Sequence, residues 1–272
     1  MNKILNIAIF SVPRSGSTWL GQIFNSLPSV VYRFQPNFAY SFPYYINDTS
    51  DNFQIENFYN ELLESTDPFV NGEISISGKN NIEFKKDEIK ALVWKEVHAL
   101  YLTKTILQNS TTKVIGIIRS PFSVIASWIK IPREFDPNWD VNEEWRFASL
   151  KNNGSPNNFF GYEKWKETVM LFLELREQFP KQFYLVNYED LLKHTEREVS
   201  IIFDFCGLEM HGQTREFLLK TKESNEKDAY SIYKSKKDDC SWKESLPKFI
   251  VEEICLDPDF IELNEMFHWI RK

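Results

Sequence analysis

Residues Pro13-Arg14-Ser15-Gly16-Ser17-Thr18-Trp19 join an apolar run to a helical pattern and concentrate three hydroxyls and a guanidinium in one turn. A helix that starts here presents unpaired backbone N–H groups and a partial positive charge, which attract phosphate and similar anions. Gly16 and the small Ser15 and Ser17 let the backbone approach an anion closely. Ser17 and Thr18 add hydroxyl donors, and Arg14 adds a planar, permanently charged fork. The Gly-x-x-x-x-Gly-Lys-Ser/Thr pattern of ATP- and GTP-binding loops is absent, so the turn is an anion cradle of another kind. No metal is expected, because no acidic magnesium ligand stands out at a later strand end.

A second cluster lies at Ile117-Ile118-Arg119-Ser120-Pro121-Phe122-Ser123-Val124-Ile125-Ala126-Ser127. Arg119 is placed at the carboxyl end of a strand, where open α/β sheets bind ligands. Ser123 and Ser127 are four residues apart and share one face of the following helix. An Arg and a Ser from one strand–helix corner can grip a single phosphate.

The elements that must hold these residues alternate strand and helix, which predicts an α/β, three-layer, P-loop-like fold with a central parallel sheet flanked by helices. Ile4–Ser11 reads as a buried central strand. Trp19, Leu20, Ile23, Phe24 and Leu27 have helical spacing over Ser17–Leu27, and Pro28 ends that helix. Further strands are expected at Ser29–Phe34, Ala91–Val97, Lys113–Ile118 and Phe183–Val186. Helices are expected at Ile55–Glu64, His98–Leu107, Pro121–Lys130, Tyr162–Phe179 and Glu189–Cys206, the last stopped by Gly207. Pro121 suits a first helical position, with Ser120 as N-cap. Gln35–Asn52 and Ile131–Asn158 read as irregular, aromatic-containing segments, and the C-terminal part as helical with a polar loop at Ser231–Ser241. No linker or repeat divides the chain, so residues 1–272 form one expected domain.

With 42% hydrophobic residues the chain can bury a large core, and its net charge of -7 argues against general nucleic-acid binding. Three widely spaced cysteines do not make a disulfide framework or a zinc site, and imply free thiols in a reducing compartment. The short apolar start lacks the length and cleavage site of a signal peptide, and no apolar run is long enough to span a membrane. A cytoplasmic protein is the expectation. Oligomeric state is left open.

Together the two clusters resemble the nucleotide-binding signatures of the sulfotransferase superfamily, whose members use 3′-phosphoadenosine 5′-phosphosulfate (PAPS). Pro13–Trp19 resembles its 5′-phosphosulfate loop, and Arg119-x-Pro with Ser127 eight positions on resembles its 3′-phosphate motif. Asn187-Tyr188-Glu189-Asp190-Leu191-Leu192 and Phe203-Asp204-Phe205-Cys206-Gly207-Leu208 resemble a further family segment. Lys236-Lys237 ahead of Ser241-Trp242-Lys243 resembles its basic loop over the 3′-phosphate and adenine. The likeness runs from about residue 3 to 250 in the expected order.

The resemblance implies PAPS as sulfuryl donor, 3′-phosphoadenosine 5′-phosphate (PAP) as product and an acceptor hydroxyl. It gives Arg14 the leaving 5′-phosphate, Ser15, Gly16, Ser17, Thr18 and Trp19 the phosphosulfate, and Arg119 and Ser127 the 3′-phosphate, supplemented by Lys236 or Lys237. Lys95 matches the family's Lys position, but the catalytic His is shifted by one, to His98. In an extended strand Glu96 and His98 share a face while Lys95 points away, and a bend would change that. Glu96 and His98 therefore stand equal as proton acceptor. Carbohydrate members often place a Glu-Pro after the second strand; this chain has Gln35-Pro36, and an amide cannot take the proton. Arg33–Tyr45 and Ile131–Asn158 mix aromatic and polar residues, which suits a saccharide acceptor. The alternatives are a small-molecule kinase and a nucleotide-binding module without catalysis.

Overall fold

The computed structural model describes residues 4–38, 41–43, 45–73, 83–223 and 238–270. Five strands form one sheet: β1 (Leu5–Phe10), β2 (Val30–Phe34), β3 (Ala91–Glu96), β4 (Lys113–Ile118) and β5 (Phe183–Asn187). Their order is β2-β3-β1-β4-β5 and every pairing is parallel. The apolar runs follow from this, since a parallel strand covered on both faces needs apolar residues at every position.

Alternation along the strands divides the core in two. Ala8, Phe10, Leu92, Trp94, Val114 and Ile118 point into one layer with α2 (Asn52–Leu63), α3 (Leu102–Asn109), α4 (Pro121–Ile129) and the later α7 (Tyr162–Gln178). Ile7, Ile9, Ala91, Val93, Ile115 and Ile117 point into the other, with α1 (Ser17–Asn25), α8 (Tyr188–Lys193), α9 (Thr195–Cys206) and α10 (Gly212–Glu223). Each fully buried Ile or Phe contributes about 1.5–3 kcal/mol of transfer free energy, so the sheet is the rigid frame for whatever its edges carry.

All the carboxyl ends lie together: Phe10 pairs with Glu96, Phe34 with Lys95, and Ile118 with Asn187. The two anion clusters and the Lys95–His98 segment thus leave the sheet at the same edge.

The structure differs from the sequence expectation in three places. The helix expected from His98 begins at Leu102, because Ala99 takes a positive φ of 50° and turns the chain first. The helix expected over Glu189–Cys206 is two, α8 (Tyr188–Lys193) and α9 (Thr195–Cys206), broken at His194. The segment Ile131–Asn158 contains α5 (Val141–Phe147) and α6 (Ser149–Asn152), each flanked by a non-glycine residue with positive φ, Ala148 or Asn153. The C-terminal part holds α10 (Gly212–Glu223), α11 (Lys248–Leu256) and α12 (Pro258–Phe267). No described helix is long and apolar enough to cross a membrane.

Candidate functional site

Arg14 and Gly16 have φ of 72° and 91°, while Ser15 between them does not share that sign. Such alternation turns backbone amides toward one point and forms a concave anion nest. Gly16 is needed on two counts: its φ disfavours any side chain, and a Cβ there would run into the Tyr188 ring. α1 starts at this point with no side-chain cap and no acidic residue in its first turn, leaving its positive end unneutralised.

Buried polar atoms without partners surround the nest. Ser11 Oγ, Ser15 Oγ and Trp19 Nε1 at the first loop, and Ser120 Oγ at the second, make no hydrogen bond among the described residues. Buried polar groups are normally satisfied, so four orphans at one sheet edge fit a polar ligand that supplies their partners. Ser17 is buried beside them, and Thr18 Oγ1 accepts from Lys95 Nζ at 3.3 Å.

The two clusters are joined. Arg14 Nε donates to Ser127 Oγ at 3.1 Å, and Arg119 Nη1 donates to the Arg14 carbonyl at 2.7 Å. Arg119 is buried, stacked 4.6 Å over the Tyr188 ring, with its own carbonyl accepting from Trp165 Nε1. Its Nε and Nη2 grip both carboxylate oxygens of Asp239, and Ser123 Oγ donates to the Asp239 carbonyl at 2.9 Å. Burial works against the guanidinium charge, and Asp239 more than restores it. A carboxylate thus sits where the resemblance places a 3′-phosphate, and its bidentate grip shows a seat shaped for an oxyanion. Burial, with help from Asp239, also raises Glu189 to about 7, while its carboxylate accepts from Ser120 N.

Lys95, Glu96 and His98 go to three different places. Lys95 lies against the anion nest with its ammonium 4.3 Å over the Phe34 ring. Burial lowers it, opposed by Glu96, while Arg14 adds to the lowering. Glu96 is fully buried, and its carboxylate accepts the backbone N–H groups of Val97, His98 and Asn37. Burial pushes its carboxyl upward against those bonds. It fastens the ends of β2 and β3 together. Gln35, at φ 43°, bonds its N–H to the Lys95 carbonyl at the same junction.

His98 instead lines a cavity of about 250 Å³ together with Asn37, Phe38, Tyr101, Asn157 and Asn158. Its ring stacks on Phe38 at 4.8 Å, and Nδ1 meets Asn158 Oδ1 at 3.2 Å. Burial lowers its pKa to about 4, so the imidazole is neutral through the ordinary range. Among the described residues that line the cavity, no carboxylate, ammonium or guanidinium occurs.

Both segments expected to carry the acceptor reach this cavity, yet their Arg33, Trp145 and Arg146 do other work. Arg33 is buried and donates to the carbonyls of Leu62 and Leu63 at the end of α2. Trp145 packs on Tyr162, and Arg146 pairs with Glu163. Lys236, Lys237 and Tyr40 lie outside the described residues. Sequence reasoning missed Asp239, Asn158 and Glu134, whose carboxylate lies 3.6 Å from Arg14 Nη1. Only the positions of Asn158 and Glu134 within an aromatic, polar segment hinted at them.

The chain matches the family model described as the sulfotransferase domain over residues 6–254. Rat sulfotransferase 2A2 is 31% identical over 126 residues, a stretch covering 44% of this chain and 40% of that protein. Mouse sulfotransferase SULT7A1 complexed with PAP superposes with a TM-score of 0.56 at 16% identity, covering 98% of this chain and 89% of that one. The sulfotransferase domain of a Synechococcus olefin synthase gives 0.55 at 17%, covering 100% and 98%. Retinol dehydratase in complex with androsterone and PAP gives 0.54 at 15%, covering 95% and 80%.

Proposed function

The chain belongs to the sulfotransferase family, and from that premise we propose that it transfers a sulfuryl group from PAPS to a hydroxyl of a small neutral saccharide. The observation that carries the donor is the junction of the two clusters: Arg14 touches Ser127 while Arg119 holds the Arg14 backbone. The two loops are bonded to each other, which supports one ligand with an anionic group at each. That is the demand made by a nucleotide with phosphate on both its 3′ and 5′ oxygens.

The donor, when bound, supplies a sulfuryl group whose departure leaves negative charge on the 5′-phosphate. Arg14, with the α1 N-terminus and Thr18, is placed to balance that charge. Groups preset for developing charge of this sort are worth about 10²–10³ in rate. Lys95, bonded to Thr18, adds a further N–H donor beside the same loop. Arg119 and Ser127 anchor the 3′-phosphate, which takes over the place of Asp239. His98 takes the acceptor proton. It stands on the cavity wall as a neutral base, whereas the Glu96 carboxylate is committed to three backbone N–H groups. The cavity supports the acceptor class. Amides, a phenol and an imidazole suit hydroxyl edges, Phe38 suits an apolar ring face, and the volume lies below the roughly 300–1,000 Å³ of drug-sized pockets.

Thermal unfolding in EDTA with PAP, and separately with ATP and magnesium, tests the donor. Stabilisation by PAP is expected, and stabilisation by ATP–magnesium alone would overturn the proposal in favour of a kinase. Labelled PAPS offered with saccharides, phenols and steroids tests the acceptor. Transfer confined to phenols or steroids would refute the saccharide, and PAP binding without any transfer would indicate a binding module.

A further inference from the structure

We infer that Asn158 is a positioning residue for His98, holding the ring in the tautomer that leaves Nε2 free to accept a proton. The inference rests on the assignment of His98 as base, and adds the residue that makes it one.

An amide can meet a ring nitrogen either way round, so its orientation has to be settled by its other contact. Asn158 Nδ2 donates to the Asn152 carbonyl at 3.2 Å. That contact requires the NH₂ end and turns Oδ1 toward His98 Nδ1, 3.2 Å away. An amide oxygen only accepts, so Nδ1 carries the hydrogen. In a neutral imidazole the lone pair is then on Nε2.

Asn152 is itself fixed. Its side chain donates to the carbonyls of Phe147 and Phe160 and accepts from Phe160 N, and its residue is buried. The same segment is also tied to the backbone beside His98, because Ala99 N donates to the Asn157 carbonyl at 2.8 Å. The stack of Phe38 on the imidazole leaves little rotation about its long bond. Ring plane, tautomer and loop are thus set by contacts among residues 38, 98, 99, 152, 157 and 158, none of which belongs to the donor seat. The charged groups acting on His98 are Lys95 and Lys151, both of which disfavour its protonation. This is the arrangement a base needs when it must be neutral yet correctly oriented.

Asn158→Leu and Asn158→Asp test the inference on the full chain. Leu keeps the bulk and removes the acceptor. Base catalysis is worth about 10²–10⁴, so a ring free to carry its hydrogen on Nε2 should lose about tenfold or more in kcat. KM for the acceptor and affinity for PAP should change little. Asp restores an acceptor for Nδ1–H, and should recover most of kcat while moving the acid limb of the rate profile to higher pH, since a carboxylate favours the protonated ring. Nitrogen-15 shifts of the ring report the tautomer directly: Nδ1–H in the wild type, a mixture in Asn158→Leu. Wild-type kcat in Asn158→Leu with an unchanged tautomer, or no recovery in Asn158→Asp while its Tm is retained, would overturn the role. His98→Gln separates the two levels. If that variant keeps full turnover, the assignment of the base fails, and the nitrogen shifts still decide whether Asn158 sets the ring.

Discussion

The donor and acceptor sides of this sheet edge solve opposite electrostatic problems. On the donor side, backbone amides, a bare helix terminus and two arginines converge, and Arg119 already carries a carboxylate. On the acceptor side, amides and a neutral imidazole line a cavity that carries no full charge among its described residues. The proposed charged donor suits the first side and the proposed neutral acceptor the second. His98 stays neutral because it is buried, and Lys95 and Lys151 add to that effect against the hydrogen bond to Asn158.

The contrast can be broken most forcefully at Arg14. Arg14→Ala should lower kcat by about 10²–10³, because it removes charge where the leaving group develops it. Turnover equal to the wild type would remove Arg14 from the mechanism.

Asp239→Asn probes the filled seat. It keeps the shape and drops the charge that Arg119 faces, so the unliganded protein should lose about 1–3 kcal/mol of stability. PAP should then stabilise the variant more than it does the wild type, since no carboxylate contests the seat. Equal or smaller stabilisation by PAP would show that Asp239 and the 3′-phosphate do not share Arg119.

The smallest effect concerns His98 in the free protein. Its ring should titrate by NMR near 4, below the ordinary 6.5. Between those values the unfolded chain holds a proton that the folded chain lacks, so His98 makes stability rise with pH across that window. A midpoint at or above 6.5 would erase the difference between the two sides.

The donor side was largely legible in the sequence because each cluster is a contiguous strand–turn–helix. Residues 13–19 and 119–127 carry their own strand ends and helix starts. The acceptor side was not, because it is assembled across a long gap: His98 meets Asn158 sixty positions away. The donor side hid one partner in the same way, since Asp239 reaches Arg119 from 120 positions on. Strand alternation placed Glu96 and His98 on one face, but β3 ends at Glu96 and His98 lies beyond it, so one is buried and the other lines the cavity. The same loss of local signal hid the break at His194 and the two short helices after Asp140. A positive φ at Ala148 or Asn153 has no side-chain signature as strong as glycine.

The joined seat is tested most directly by calorimetric titration of PAP against adenosine 5′-monophosphate, which lacks the 3′-phosphate, in EDTA. Charge-assisted bonds worth about 1.5–3 kcal/mol predict that PAP binds about 10–150 times more tightly. Equal affinities for the two nucleotides would contradict the account.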